Sequence, residues 1–272
     1  PAINGYNSSN DVASANLLAN WTFDNTLNEV KSGTAPSSQS GNSYVTGRIG
    51  QALSLSSGVV NYPALSALGT ATCMPSFTVS LWFQGVKNNQ TNYTCLFALT
   101  QSVANQTDWN VGPVMMGIET GWRPATNDTL GLHPNFANYV GGLISHQDNI
   151  ANGDFSDIGK KWVPVIDKGT WIHYVCVYDQ TNSTCVIYAY GVLVSNTNYA
   201  TRYQTPTPMT ITPPTMAIIG GVPNSNTGYA NAPAQSWQGT SLTGTIDDIR
   251  VYSKALSLLE VGSLYQLGSA GR

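Results

Sequence analysis

A chain of 272 residues with a formal net charge of −3 and only 9% charged side chains offers no basic field, which argues against a nucleic-acid or anionic-membrane partner. No apolar run reaches the roughly 18 residues of a membrane-spanning helix, and Thr, Ser, Asn, Gly and Tyr take the place of charge, which suits strands and polar loops. A chain of this length can bury a sizeable core in one all-β domain, expected over residues 15–268, with a linker or arm over 1–14 and a short tail over 269–272.

The chain opens at Pro1 without a leader and reads as a mature fragment. Its first 14 residues are polar and read as a linker or a pinned arm. Ala19, Trp21 and Phe23 give the first strand an apolar face, and Asn20, Thr22 and Asp24 give it a polar one. Residues 31–44 read as a Ser/Gly/Thr loop. Phe77, Val79, Leu81 and Phe83 form a second apolar face, with Thr78, Ser80, Trp82 and Gln84 opposite. A Trp on that otherwise polar side indicates that it is not plain solvent surface.

The strand rhythm breaks over 101–168, where Pro113, Pro124, Pro134 and Pro164 punctuate short strands and long loops. Trp109, Trp122, Tyr139 and Trp162 fall here, with Arg123, His133 and His146. A clear hairpin returns over 171–191. Cys176 and Cys185 face each other if it turns about Gln180 and Thr181, and one step of register separates them, so both a disulfide and a pair of small buried thiols stay open. Pro-rich residues 201–215 read as an edge or crossover, Ile218–Gly221 as a strand ending in a turn, and 222–240 as a polar loop holding Tyr229 and Trp237. Leu256–Leu267 is the single plausible helix.

The run Gly244–Tyr252 (GTIDDIRVY) alternates like a strand yet contains adjacent carboxylates, Asp247 and Asp248. Neighbours on a strand point to opposite faces, so one should meet solvent and the other a cation, an Arg or backbone donors. A calcium held by Asp247 is one reading; two carboxylates that merely decorate an exposed strand is the other.

This run, with the Leu256–Val261 segment after it, resembles the closing strand of laminin-G-like domains in the concanavalin A-like jelly-roll superfamily. Trp21–Leu27, Gly47–Leu53 (GRIGQAL), Phe77–Phe83 (FTVSLWF), Trp171–Val175 and Ile187–Gly191 resemble further family segments in the same order. The resemblance implies a two-sheet antiparallel jelly-roll sandwich. It also implies a calcium where the first, second and last segments meet, with Asp247 and Asp24 as ligand residues and carbonyls of the Gly47–Gly50 turn contributing. The head, Gly5–Asn7 to Ala15–Leu18, resembles jelly-roll lipoproteins on the outer surface of glycan-degrading bacteria. That implies an extracellular or cell-surface location, an outer-membrane anchor and glycan-uptake proteins as partners.

Hydrolases of the superfamily carry Glu-x-Asp-x-x-Glu on a strand, which sets two acids on one face. This chain has no such run; its glutamates are Glu29, Glu119 and Glu260. No zinc-type spacing joins His133, His146 and His173, no Gly-x-Ser-x-Gly elbow is present, and the Asp154–Asp157 loop lacks an EF-hand glutamate. We therefore expect no catalytic residues and a non-catalytic module that binds a poly- or oligosaccharide. The alternatives are a hydrolase or lyase with an unrecognised site and a protein-binding adhesion module. Aromatic rings stack on sugar faces while amides and guanidinium groups bond their hydroxyls. That makes Trp109, Trp122, Arg123, Tyr139 and Trp162 the expected ligand-binding set.

Overall fold

The computed structural model describes residues 1–86, 93–119, 129–148, 163–164, 170–195, 197–239 and 241–272. In chain order its strands are β1 (Leu17–Trp21), β2 (Ser38–Thr46), β3 (Gln51–Tyr62), β4 (Phe77–Gln84), β5 (Tyr93–Thr100), β6 (Val114–Glu119), β7 (Thr129–Leu132) and β8 (Asn135–Val140). They continue as β9 (Leu143–Asp148), β10 (Val163–Pro164), β11 (Ile172–Asp179), β12 (Thr184–Ala189), β13 (Val192–Leu193), β14 (Met216–Ile219) and β15 (Leu242–Tyr252). One helix, α1 (Leu258–Ser269), follows. The expected all-β antiparallel sandwich is what forms.

Among the described residues every pairing of these strands is antiparallel, and the strands curl into two layers. The first holds β15, β4, β11, β12 and β13, with β1 on the far side of β15. The second runs β2, β3, β14, β5, β6 and then divides to β7 and β8. Strand β3 joins them, because Leu53–Gly58 pair with β15 while Val60–Tyr62 pair with β14. Apolar side chains of alternate positions, among them Trp21, Tyr62, Phe77, Phe83, Phe97 and Tyr174, fill the space between the layers.

Each layer is also covered outside. On the first, Val175, Val177, Tyr188 and Tyr252 pack under Val12 of the N-terminal arm and Val261, Leu264 and Leu267 of α1. Trp82 stacks on Tyr265 of α1 and lies over His173, which explains an indole on a polar face. Ser257 caps α1 in a capping box with Glu260, which sets the helix start two residues later than expected. The arm and the tail are tied together, with Ser9 N donating to Arg272 O at 3.2 Å. On the second layer, residues 220–239 fold over the sheet and bury Val222, Tyr229 and Ala232 against Ala98, Met115 and Ile218.

Two local readings are corrected. Much of the expected 31–44 loop belongs to β2, an exposed edge strand that satisfies its backbone on β3 without an apolar face of its own. In the hairpin, Asp179 Oδ1 and Oδ2 accept from Thr181 N and Asn182 Nδ2 at 2.9 and 2.6 Å, which supports a longer turn. Cys185 therefore faces Tyr178, and Cys176 faces Ile187. The two sulfurs sit diagonally at 3.8 Å, buried and not joined by a disulfide.

Candidate functional site

The outer face of the second layer carries an aromatic cluster. Tyr93 opens β5, Trp109 lies in the β5–β6 connection and Trp237 ends the covering loop. Their rings meet edge to face: Tyr93 to Trp109 at 5.5 Å, Trp109 to Trp237 at 5.0 Å, and Tyr93 to Trp237 at 6.1 Å. Backbone pairing fixes this. Tyr93 N donates to Trp237 O and Gly239 N donates to Tyr93 O, both at 2.9 Å. Tyr93 is buried, Trp109 half-buried, and Trp237 is 39% exposed, so the cluster opens to solvent chiefly at Trp237.

A polar frame surrounds the rings. Asn135 Nδ2 donates to Tyr93 OH at 2.7 Å, and Tyr93 OH donates to the His133 carbonyl at 3.0 Å. Trp109, Asn110, Asn135 and Pro223 close over a crevice too small to hold a water molecule. His146 Nδ1 lies 2.9 Å from Asn110 O, and His133 Nδ1 lies 2.8 Å from Glu119 Oε1. Gly117 must lack a side chain here, since a Cβ would stand 1.8 Å from Tyr93 OH.

Of the expected ligand-binding residues, Trp109 is in this cluster. Tyr139 is 41% exposed on the same outer face, four positions along β8 from Asn135 and thus roughly 13 Å away. Trp122, Arg123 and Trp162 lie outside the described residues. Trp237 was not among those expected. Its signal was a lone Trp in an otherwise polar loop, and only the loop's fold over β5 brings it to Trp109.

The Asp247 junction differs from the expectation that one carboxylate faces solvent and that the pair points to opposite faces. Both are buried, on the same side of β15. The ladder to β4 slips between Asp247–Trp82 and Arg250–Ser80, and Asp248 takes φ 47° as the extra residue of this bulge. Asp248 and Arg250, two residues apart, share that side by ordinary alternation, and the extra residue brings Asp247 to it as well. Asp247 Oδ2 accepts from Arg48 N at 2.7 Å and Ile49 N at 2.9 Å, while Asp24 Oδ1 accepts from Gln51 N at 2.8 Å. The first, second and last segments thus do meet at the Gly47–Gly50 turn, but the turn gives Asp247 amide N–H groups. Asp247 Oδ1 is enclosed with no hydrogen-bond partner. Burial pushes the Asp247 carboxyl up to about 8; nearby Asp248 adds to this and the Ile49 and Arg48 amides oppose it. That orphaned oxygen fits a cation, although no group of three or more His, Cys, Asp or Glu side chains converges among the described residues.

No family model matches the chain, and no curated protein does. Solved structures share its fold. Domain 4 of AbnA, a GH43 extracellular arabinanase from Geobacillus stearothermophilus solved with arabinotriose, is 18% identical over 92% of this chain and 98% of that one, with a TM-score of 0.53. The binding domain of Paraclostridial Mosquitocidal Protein 1 is 16% identical over 92% of this chain, with a TM-score of 0.56. The botulinum neurotoxin serotype D ligand-binding domain, solved with N-acetylneuraminic acid, is 12% identical over 95% of this chain, with a TM-score of 0.54. The chain spans about half the length of these two toxin domains, 52% in each case. The fold defines a β-sandwich of the class to which these binding domains belong.

Proposed function

We propose that this domain is a non-catalytic carbohydrate-binding module that captures a poly- or oligosaccharide on the outer face of its second layer. The observation that carries the reading is the Tyr93–Trp109–Trp237 cluster: fixed aromatic rings, open to solvent at Trp237 and framed by Asn110, Asn135 and His146. Apolar sugar faces stack on such rings while their hydroxyls bond the amides around them. The sugar ligands of the arabinanase and neurotoxin domains support the same reading. Affinity electrophoresis through a panel of polysaccharides tests it. Retardation by at least one, abolished in the double variant Trp109→Ala/Trp237→Ala, is expected; no retardation by any member overturns it.

The His133–Glu119 pair beside Tyr93 favours one second reading, a hydrolase or lyase. Release of reducing ends or unsaturated products from the same panel, lost in Glu119→Gln, would establish that chemistry instead. From the resemblance of its head segment, the module acts at a bacterial cell surface as part of an outer-membrane-anchored lipoprotein beside glycan-uptake proteins. One calcium at Asp247 belongs to the same proposal. Asp247 Oδ1, the Asp24 carboxylate and carbonyls of the Gly47–Gly50 turn would hold it, and it would supply only structural cross-linking of three chain segments.

A further inference from the structure

Across the outer face of the second layer one row of paired residues runs Ser38, Asn61, Ile218, Ala98, Met115, Asn135. Its centre is apolar and covered by Val222 and Tyr229 of the loop. Its ends are polar, Ser38 exposed and Asn135 half-buried. One end, at Asn135, is the aromatic cluster. The other opens into a groove of about 450 Å³, floored by β2 and β3 and walled by Asn226–Gly228. Asn61 and Asn135 are four strand spacings apart, or roughly 19 Å.

The groove lining carries no Lys, Arg, His, Asp or Glu. It presents the hydroxyls of Ser38, Ser40 and Ser57 and the amides of Asn61 and Asn226, with Val59 as an apolar patch in the floor. Each of these polar groups can both donate and accept, as sugar hydroxyls do, and none favours a charged ligand.

The wall is fixed before any ligand arrives. Asn224 N donates to Thr227 Oγ1 at 3.0 Å, Thr227 Oγ1 donates to Val222 O at 2.6 Å, and Asn226 N donates to Asn224 Oδ1 at 2.9 Å. Asn224 Nδ2 reaches across the loop to Gln238 Oε1 at 2.7 Å, and Asn61 Nδ2 ties floor to wall through Thr227 O at 3.1 Å. Asn224 and Thr227 are spent inside the turn, which leaves Asn226 and Gly228 exposed toward the groove. Rigid, uncharged, hydroxyl- and amide-lined walls lose little freedom when a hydroxyl-rich chain settles between them.

We propose that this groove is a second binding site, for a neutral oligosaccharide, on the same face as the aromatic cluster and separate from it. The inference rests on the carbohydrate-binding reading, and its test separates the two. Titration calorimetry with neutral arabino-, xylo-, gluco- and manno-hexaoses would be run on the unmodified protein, on Trp109→Ala/Trp237→Ala, and on two groove variants. Ser40→Trp fills the groove from an exposed strand position, and Ser38→Ala/Asn226→Ala removes a hydroxyl and an amide without adding bulk. The expected result is that the aromatic variant keeps measurable binding of one hexaose, and that either groove change in that background weakens it at least roughly tenfold. Loss of all binding in the aromatic variant, with both groove variants unchanged from the unmodified protein, overturns the groove and leaves the aromatic site standing. Absence of binding by the unmodified protein overturns both.

Discussion

Asp248 and Arg250 stand two residues apart on β15 and close a two-pronged ion pair, with Arg250 Nη2 2.8 Å from Asp248 Oδ1 and Arg250 Nε donating to Asp248 Oδ2 at 2.8 Å. The side chains of Arg250 and Asp248 are 3% and 4% exposed; residues two apart on a strand share a face, and the bulge at Asp248 brings Asp247 to that side as well. Arg250 also donates to Ser9 O at 3.2 Å and Asn10 Oδ1 at 2.9 Å, so the pair fastens the N-terminal arm.

Removing one partner leaves the other charge buried, at a cost of about 3–5 kcal/mol. Asp248→Ala should therefore lower unfolding free energy by that much in urea titration. Hydrogen exchange at Asp11 and Val12, in the arm turn held by Ser9, should speed up well beyond that in the sandwich core. A loss under ~1 kcal/mol with an unchanged arm would mean that solvent reaches the pair.

Trp237 and Trp109 should separate binding from stability. Trp237 is half in solvent, so Trp237→Ala should abolish retardation by polysaccharide while changing stability by roughly 1 kcal/mol or less. Trp109 lies between Tyr93 and Trp237, so Trp109→Ala should weaken binding and also cost more stability than Trp237→Ala. Equal loss of stability in both, with binding retained, would make the cluster a packing feature of the loop.

His173 gives a pH dependence of known sign. It is fully enclosed between Ser80, whose Oγ lies 2.9 Å from Nε2, and the rings of Trp82 and Tyr265. Burial, with the Arg250 charge second, lowers its pKa to about 3. The folded state thus keeps it neutral, while the unfolded chain takes up a proton near pH 6.5. Between those values the unfolded state binds more protons, so stability falls as pH falls, by about 1.4 kcal/mol per pH unit for this one group. His173→Gln should flatten that part of the stability–pH curve. An unchanged slope in a folded variant would mean that other groups produce it.

The sandwich was legible because its core strands alternate. Trp21 and Phe23, and Phe77 through Phe83, declare their inward faces, and the covered outer face was signalled by Trp82. Strand β2 was hidden because Ser38–Thr46 pays its way through backbone pairing to β3 and shows no period. The bulge at Asp248 was equally silent: one residue in a left-handed conformation puts two adjacent carboxylates on the same side and leaves no mark on composition. The site was half legible. Trp109 stood out in an irregular region, whereas Trp237 joins it through a fold of more than a dozen polar loop residues over β5, a relation that no local pattern encodes.

The orphaned Asp247 oxygen decides between a proton and a cation. With protein groups alone, burial holds the carboxyl near 8, and a proton would satisfy Oδ1 over much of the neutral range. A calcium would instead keep the carboxylate ionised and bind only the native junction, so it would raise stability by mass action, by about 2.7 kcal/mol at a hundredfold excess over its dissociation constant. Chelation should then lower the melting temperature, and added calcium should restore it. Asp247→Ala should abolish the chelator effect. Asp248→Ala should melt lower for its own reason, the broken pair with Arg250, yet still shift with chelator. Asp24→Asn should weaken calcium's effect without removing it, since Asp24 Oδ1 is occupied by the Gln51 amide. A melting temperature unmoved by chelator, in protein verified to be metal-free afterwards, would show that Asp247 is held by the Arg48 and Ile49 amides and a proton, and that no calcium stabilises this junction.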